Sequence, residues 1–288
     1  MHRLPSSDPG TGFIARIKQL FGRQPNGSTA SGPHWEPVRP VSIEVAQRTD
    51  IGRQREHNED NVAYIIPKAR PIMDSKGALF IVADGMGGHA AGEVASGMAV
   101  EVICHIYYQD EDSDVLASLQ RAIKAANDAI YQHAIDNALH NGMGTTCVVA
   151  VLRGTMLYIA NIGDSRAYLI RRGQARQITL DHSWVAEQVR AGELSVEEAR
   201  YHAMRNLITR SLGATPEVEI DFFVEQVEAG DQLVLCSDGL SGMVQDEEIC
   251  QTVQQCSPQE SVLRLVERAN AAGGVDNITV LVAHISTT

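Results

Sequence analysis

Carboxylates recur at the ends of apolar runs in this chain. Asp84 follows Leu79-Phe80-Ile81-Val82-Ala83, Asp164 closes residues 157–163, and Asp238 closes 233–237. Asp276 stands just before the run at 278–285, and Glu59-Asp60 stand just before 62–66. Taken singly, an aspartate before a strand is an ordinary turn former. Five such places together are costly at the mouths of buried strands unless the carboxylates are paired, hydrogen-bonded or metal-bound. Basic partners are scarce nearby, Arg55 and Arg166 being the main local ones. Oxygen ligands without His or Cys suit Mg²⁺ or Mn²⁺ rather than zinc. Two such ions about 3.5–4 Å apart, bridged by one carboxylate, lower the pKa of a shared water and hold a phosphoryl group for in-line attack. Asp84 is the best bridging candidate, because Gly85 lets the chain come close enough for its own carbonyl to ligate. Such a site could serve attack on a phosphoryl group, in which positioning and electrostatics do most of the work.

The elements that must hold these groups are read from periodicity. Residues 41–47, 61–66 and 78–83 are short β-rich runs, and 88–108 and 115–138 read as helices. The second helix carries Val115, Leu116, Leu119, Ile123, Ala126 and Ile130 on one stripe. A meander follows, with strands at 145–152, 156–161, 166–170 and 175–179 separated by glycine turns. Polar, helix-forming sequence occupies 183–212, and strands return at 218–227, 232–236 and 278–285. Two last helices fill 246–253 and 258–272, the latter with Ser257 as N-cap and Pro258 in the first turn. Hairpin-grouped strands with helices in separate blocks predict an α+β fold: a central β-sandwich of two antiparallel sheets flanked by helices, four αββα layers in all.

The chain has 288 residues, with 24 Lys and Arg against 36 Asp and Glu, a formal net charge of −12. That acidity opposes nucleic-acid binding, which rests on clustered Lys and Arg. It equally opposes a polybasic membrane-surface role. The five cysteines are odd in number and form no C-x-x-C pair. They specify neither a disulfide framework nor a zinc site, so a reducing, cytoplasmic location is expected. No apolar run of 18 residues is present, so no transmembrane helix is expected. Residues 1–40 hold six of the ten prolines, five glycines, and five basic against two acidic residues, so the acid lies in 41–288. Such composition reads as a disordered leader. Within it, Phe13, Ile14, Ile17, Leu20 and Phe21 alternate with Arg16, Lys18 and Arg23 as a short basic amphipathic segment. Its function is either docking on a partner or anionic membrane, or none, since a helix this short is marginal alone.

Six segments occur in order over residues 45–285: Arg55-Glu56-His57-Asn58-Glu59-Asp60, Asp84-Gly85-Met86-Gly87-Gly88, Gly144-Thr145-Thr146, Gly163-Asp164-Ser165-Arg166, Ser237-Asp238-Gly239-Leu240 and Asp276-Asn277-Ile278-Thr279. Each is weak alone, but together they resemble the metal-dependent protein phosphatase family (PPM, type 2C) in its bacterial serine/threonine branch. The resemblance implies hydrolysis of phosphoserine and phosphothreonine in proteins by a water bridging two Mn²⁺ or Mg²⁺ ions. It implies Asp84 as the carboxylate bridging both metals, Gly85 as a carbonyl ligand, Asp238 and Asp276 on the first metal, and Glu59 on the second. Asp60 matches a residue that orients or deprotonates the water, and Arg55 the arginine that grips the phosphate, where a planar fork suits bidentate binding. Asp164, with Asp238, matches a third, weaker metal site. The implied partners are phosphoprotein substrates of a serine/threonine kinase, and the implied oligomeric state is a monomer. The domain expected is residues 41–288, with a small helical flap at about 181–213.

The chain departs from the family pattern at two places. Met86 stands where eukaryotic members carry a histidine proposed as general acid, and a thioether cannot donate a proton. His202-Ala203-Met204-Arg205-Asn206 stands where related bacterial sequences have proline after the histidine. Alanine there is expected to loosen the flap or extend its helix. Of the histidines near the motifs, His57, His89 and His182, each is either a proton-transfer group or a hydrogen-bonded or exposed bystander. Trp184 and the acidic stretch 193–200 read as flap packing and solvent face, and Cys236 as core. The alternative to an active phosphatase is a binding module of the same fold without significant catalysis. Such a chain should have lost ligands, whereas Glu59, Asp84, Asp164, Asp238 and Asp276 are all present. A dedicated partner-switching regulator is a third reading; the absence of a sensor domain within residues 1–40 weighs against it.

Overall fold

A computed structural model describes residues 41–87 and 91–287. The leader at 1–40, its amphipathic segment at 13–23 and His89 lie outside the described residues. Eleven strands and eight helices of the described residues alternate in blocks. The first sheet contains β1 (Val41–Asp50), β11 (Ile278–Thr287), β10 (Gln232–Cys236), β7 (Arg166–Arg171) and β8 (Gln174–Gln177), in that spatial order. The second is ordered β2 (Asp60–Ile65), β3 (Ala78–Met86), β5 (Cys147–Arg153), β6 (Met156–Ile162) and β9 (Asp221–Gln226), with the two-residue β4 (Gly144–Thr145) paired to the end of β3. Every pairing is antiparallel, as expected from the hairpin grouping.

The continuous apolar runs follow from burial on both faces of the central strands. On β3, Ala78, Phe80 and Val82 point between the sheets, where they meet Val148, Ala150, Leu152, Leu157, Ile159, Leu233, Leu235 and Leu281. Alternate residues Leu79, Ile81 and Ala83 are equally buried on the other side. There α2 (Ala91–Gln109) and α3 (Val115–Asp136) cover the second sheet. On the first sheet, Val234, Cys236, Ile278, Val280 and Val282 face α7 (Asp246–Gln255) and α8 (Pro258–Ala271). Cys236 is therefore core, as its strand position predicts. Helix, sheet, sheet and helix make the four layers.

Several boundaries differ from the periodicity reading, each for a local reason. The strand expected at 145–152 is interrupted at Thr146, whose backbone N–H and hydroxyl both bond the Asp84 peptide unit. The helix-forming stretch at 183–212 yields only α4 (Trp184–Ala191) and α5 (Val196–Tyr201). Gly192, left-handed at φ 78°, stops α4, and a Ser195–Glu198 capping box starts α5. Helix α5 ends at Tyr201, and His202 is extended at φ −66° and ψ 145°, so Ala203 does not prolong it. A helix absent from the reading, α1 (Arg70–Lys76), is too short for periodicity to reveal. A one-turn helix, α6 (Asp238–Ser241), follows β10 directly. Ser257 caps α8 through the Glu260 N–H, with Pro258 in the first turn, as expected.

Candidate active site

The antiparallel registers bring the chosen carboxylates to one end of the sandwich. Asp60 opens β2 directly opposite Asp84 near the end of β3. Asp238 follows β10, Asp276 precedes the neighbouring β11, and Asp164 lies in the turn between β6 and β7. The two sheets are joined there by side chains: Ser237 donates its hydroxyl to Asp60 Oδ2 at 2.7 Å, and Asn277 Oδ1 accepts the Glu59 N–H at 2.9 Å. Asn277 also donates to the carbonyls of Ile51 and His57 at 2.9 Å each, which pins the loop carrying Arg55.

Glycine is required where α2 begins. A Cβ on Gly85 would lie 2.0 Å from the Gly92 carbonyl oxygen, and one on Gly92 would lie 2.6 Å from Glu59 Oε1. The start of the helix is thus packed against both Gly85 and the Glu59 carboxylate. Desolvation raises that carboxyl, and the Gly92 backbone opposes the rise, as a helix N-terminus does for an anion. Asp84 is held through its backbone, by the Thr146 N–H and Thr145 hydroxyl on its carbonyl at 2.8 and 2.9 Å and by its own N–H on Thr146 Oγ1 at 3.0 Å. Its carboxylate is left for the cleft.

Burial and mutual repulsion push these carboxyls upward. Asp60 is raised to about 7, first by desolvation and then by the charges of Asp238 and Asp276, against hydrogen bonds from Thr279 and Ser237. Asp238 is raised to about 6 by desolvation and Asp276. Desolvation raises Asp84 and Asp164 as well, aided by the neighbouring aspartates. Arg55 reaches Asp276 Oδ2 at 2.6 Å but stays half-exposed. Arg166 does not serve the cluster directly: its fork is taken by Asp181 at 2.7 Å and the Tyr168 hydroxyl at 2.9 Å.

Four of the nine buried side-chain oxygens and nitrogens without a hydrogen-bond partner among the described residues belong to this cluster: Glu59 Oε1, Asp60 Oδ1, Asp164 Oδ1 and Asp238 Oδ1. Concentrated orphan carboxylate oxygens fit a site for hard divalent cations. Among the described residues, no three or more His, Cys, Asp or Glu side chains are closed into a ready shell. An ion that keeps several of its waters does not need one.

His57 is exposed. His182 is buried and bonded at both ring nitrogens, to the Gly163 N–H and to Asp221. Trp184 and His202 pack ring on ring at 4.9 Å, as flap packing predicts. Sequence reasoning overlooked Asp221, and it gave no role to Ser237, Thr146 or Asn277 although all three lie inside the quoted motifs.

A two-sheet sandwich with acidic groups of both sheets converging at one end fits a metal-dependent hydrolase of phosphate esters. The protein phosphatase 2C family model matches residues 53–272. A serine/threonine phosphatase, stp, of Listeria innocua is 42% identical over 244 residues, 82% of this chain and 94% of that protein. The catalytic domain of the serine/threonine protein phosphatase PstP in complex with two manganese ions superposes with a TM-score of 0.75 at 40% identity, covering 86% of this chain and 100% of that one. Stp1 of Staphylococcus aureus superposes at 0.80 with 35% identity, covering 89% and 100%. This chain belongs to the protein phosphatase 2C family and is a metal-dependent protein phosphatase.

Proposed function

We propose that the chain removes phosphate from phosphoserine and phosphothreonine of proteins, with residues 41–288 as the catalytic domain and 181–213 as its flap. The observation that carries this reading is the convergence of Glu59, Asp60, Asp84, Asp164, Asp238 and Asp276 with four buried oxygens unsatisfied. Asp84, Gly85 through its carbonyl, Glu59, Asp238 and Asp276 would hold two Mn²⁺ or Mg²⁺ ions, and Asp164 with Asp238 a third and weaker one. Bound there, divalent ions supply charge neutralisation for the phosphoryl oxygens and acidify water.

The chain's own groups do the rest. The half-exposed Arg55 fork leaves Asp276 for the phosphate, at little cost because an exposed ion pair is weak. Ser237 occupies Asp60 Oδ2, so Asp60 Oδ1 is the atom free to take a proton from the attacking water. Burial and the neighbouring aspartates raise this carboxyl in the metal-free cleft, and divalent ions bound beside it would lower it again and keep it an acceptor. Met86 supplies no proton to the departing alcohol, so metal-bound water or another group would have to. Water exclusion is slight, because Asp84, Asp238 and Asp276 are only partly buried.

We also read the protein as a cytoplasmic monomer acting on substrates of a serine/threonine kinase. Five free, buried cysteines support a reducing compartment, and no helix among the described residues is long and apolar enough to cross a membrane. The test is hydrolysis of p-nitrophenyl phosphate, phosphoserine and phosphothreonine peptides with Mn²⁺. Activity should vanish in EDTA and fall by orders of magnitude in Asp238→Asn; undiminished turnover in either case would sink the mechanism.

A further inference from the structure

The turn that carries Asp164 is held by a ring from the base of the flap. His182 accepts the Gly163 N–H on Nδ1 at 3.1 Å, and its own backbone N–H donates to the Gly163 carbonyl at 3.0 Å. A ring whose Nδ1 accepts carries its proton on Nε2 when neutral. That nitrogen lies 3.1 Å from Asp221 Oδ2 and donates to it. Asp221 Oδ1 accepts from Arg210 Nη1 at 2.9 Å, and Arg210 also pairs with Glu219 at 3.0 Å. Burial pushes the Asp221 carboxyl up, but the hydrogen bonds and charges of His182 and Arg210 hold it below the ordinary range, so it stays an acceptor. Asp221 is placed for this by its register opposite Asn161, two residues before Gly163.

We propose that His182, kept in its Nε2–H tautomer by Asp221, is a positioning residue that holds the Gly163–Asp164 turn so that the Asp164 carboxylate faces the acidic cleft. The turn cannot stiffen itself with a side chain, because Gly163 has φ +99° and a Cβ there would lie 2.6 Å from the Thr146 side chain. Asn161 Nδ2 also reaches the Gly163 carbonyl, at 3.2 Å, so among the described residues the ring is the one side chain on the N–H side. Without it, a buried N–H lacks its acceptor and the turn rotates to find one, carrying Asp164 with it. The neighbouring Ser165 hydroxyl contacts Thr146 Oγ1 at 2.7 Å, and Thr146 holds the Asp84 backbone, so the displacement is confined by the same network that orients Asp84. The arrangement follows the rule that groups behind the ligands orient them, with a backbone amide in place of a metal at the ring. The inference rests on the reading of Asp164 as a metal ligand.

The test is Mn²⁺ binding to the full chain, read from the electron paramagnetic resonance of free Mn²⁺, alongside KM for p-nitrophenyl phosphate at saturating Mn²⁺. His182→Ala should weaken the weakest Mn²⁺ step by about 10–100-fold and leave that KM within about twofold. His182→Asn, whose Oδ1 can accept the Gly163 N–H, should recover most of the binding. His182→Gln, which reaches Asp221 only, should not. Thermal melting identifies any variant that fails to fold; if His182→Ala does, the Asn and Gln pair decides, with Asp221→Asn expected to weaken the same step less. Wild-type Mn²⁺ binding in the folded Ala and Gln variants, or no recovery in Asn, overturns the proposal. A chain that hydrolyses no phosphate ester yet shows this binding pattern would overturn the functional reading and leave the positioning role standing.

Discussion

The acidic cleft should make one inactivating substitution stabilising when metal is withheld. Asp238 is raised from an ordinary 3.8 to about 6 by desolvation and by the charge of Asp276. At pH 7.5, above both values, the folded chain carries an ionised Asp238 that the unfolded chain tolerates better. A shift of about two units at 1.4 kcal/mol each is roughly 3 kcal/mol. Asp238 retains some surface in the cleft, so solvent screening reduces this to about 2 kcal/mol. Asparagine has nearly the same shape and cannot ionise. In EDTA at pH 7.5, Asp238→Asn should therefore melt about 4–8 °C above wild type, at 2–4 °C per kcal/mol for a domain of this size.

The sign with pH follows from proton counting. Between about 6 and 4 the folded wild type binds more protons than the unfolded chain, so its stability rises as pH falls and the gap to the variant should close by about pH 4. In Mn²⁺ the order should reverse. Ligand at 100 times its Kd adds about 2.7 kcal/mol to a protein that binds it, and the variant loses much of that gain. The assay is thermal melting followed by circular dichroism from pH 4.5 to 7.5, in EDTA and in Mn²⁺. A variant that melts at or below wild type in EDTA at pH 7.5 would refute the reasoning that these carboxylates repel one another uncompensated.

Three further outcomes are expected. Gly92→Ala places a Cβ 2.6 Å from Glu59 Oε1; Mn²⁺ titration of activity should show at least a tenfold rise in the concentration giving half-maximal rate. Its melting point in EDTA should fall as well, because the same Cβ would lie 2.8 Å from the Gly85 backbone carbon, a clash that outweighs the helix preference of alanine over glycine of about 1 kcal/mol. Ala203→Pro should be tolerated, since His202 already has the extended backbone that a residue before proline adopts. Melting should show a gain of about 0.4–1 kcal/mol, and a loss of peptide turnover would show that the flap needs its freedom at this point. Residues 41–288 expressed alone should hydrolyse p-nitrophenyl phosphate within a few-fold of the full chain; a collapse would make the leader part of the catalytic unit.

Much of this molecule was legible because its signals are local. The unbroken apolarity of residues 78–83 announces a strand buried on both faces, and Ser257-Pro258 announces the start of α8, whatever else the chain does. Carboxylates against such strands announce a burial cost that something must meet. The flap was legible only in outline, because Gly192 and the Ser195–Glu198 box divide it by capping geometry rather than by periodicity. Arg166 looked like a partner for the cluster because it follows Asp164 by two residues, yet its fork is taken by Asp181 and Tyr168.

Residue types and their neighbours thus determined the element inventory, the hard-oxygen character of the site and the candidates Arg55, Glu59, Asp60, Asp84, Asp164, Asp238 and Asp276. Tertiary structure alone decided that these groups share one cleft. That depends on β1 pairing with β11, more than 200 residues away, and on Asp60 falling opposite Asp84. It also decided that Asn277 staples the Arg55 loop and that His182 answers to Asp221, 39 residues on. Propensity and hydrophobic period are properties of a short window, whereas register is set by packing between windows, and a slip of one residue would turn Asp60 or Asp84 to the opposite face of its sheet.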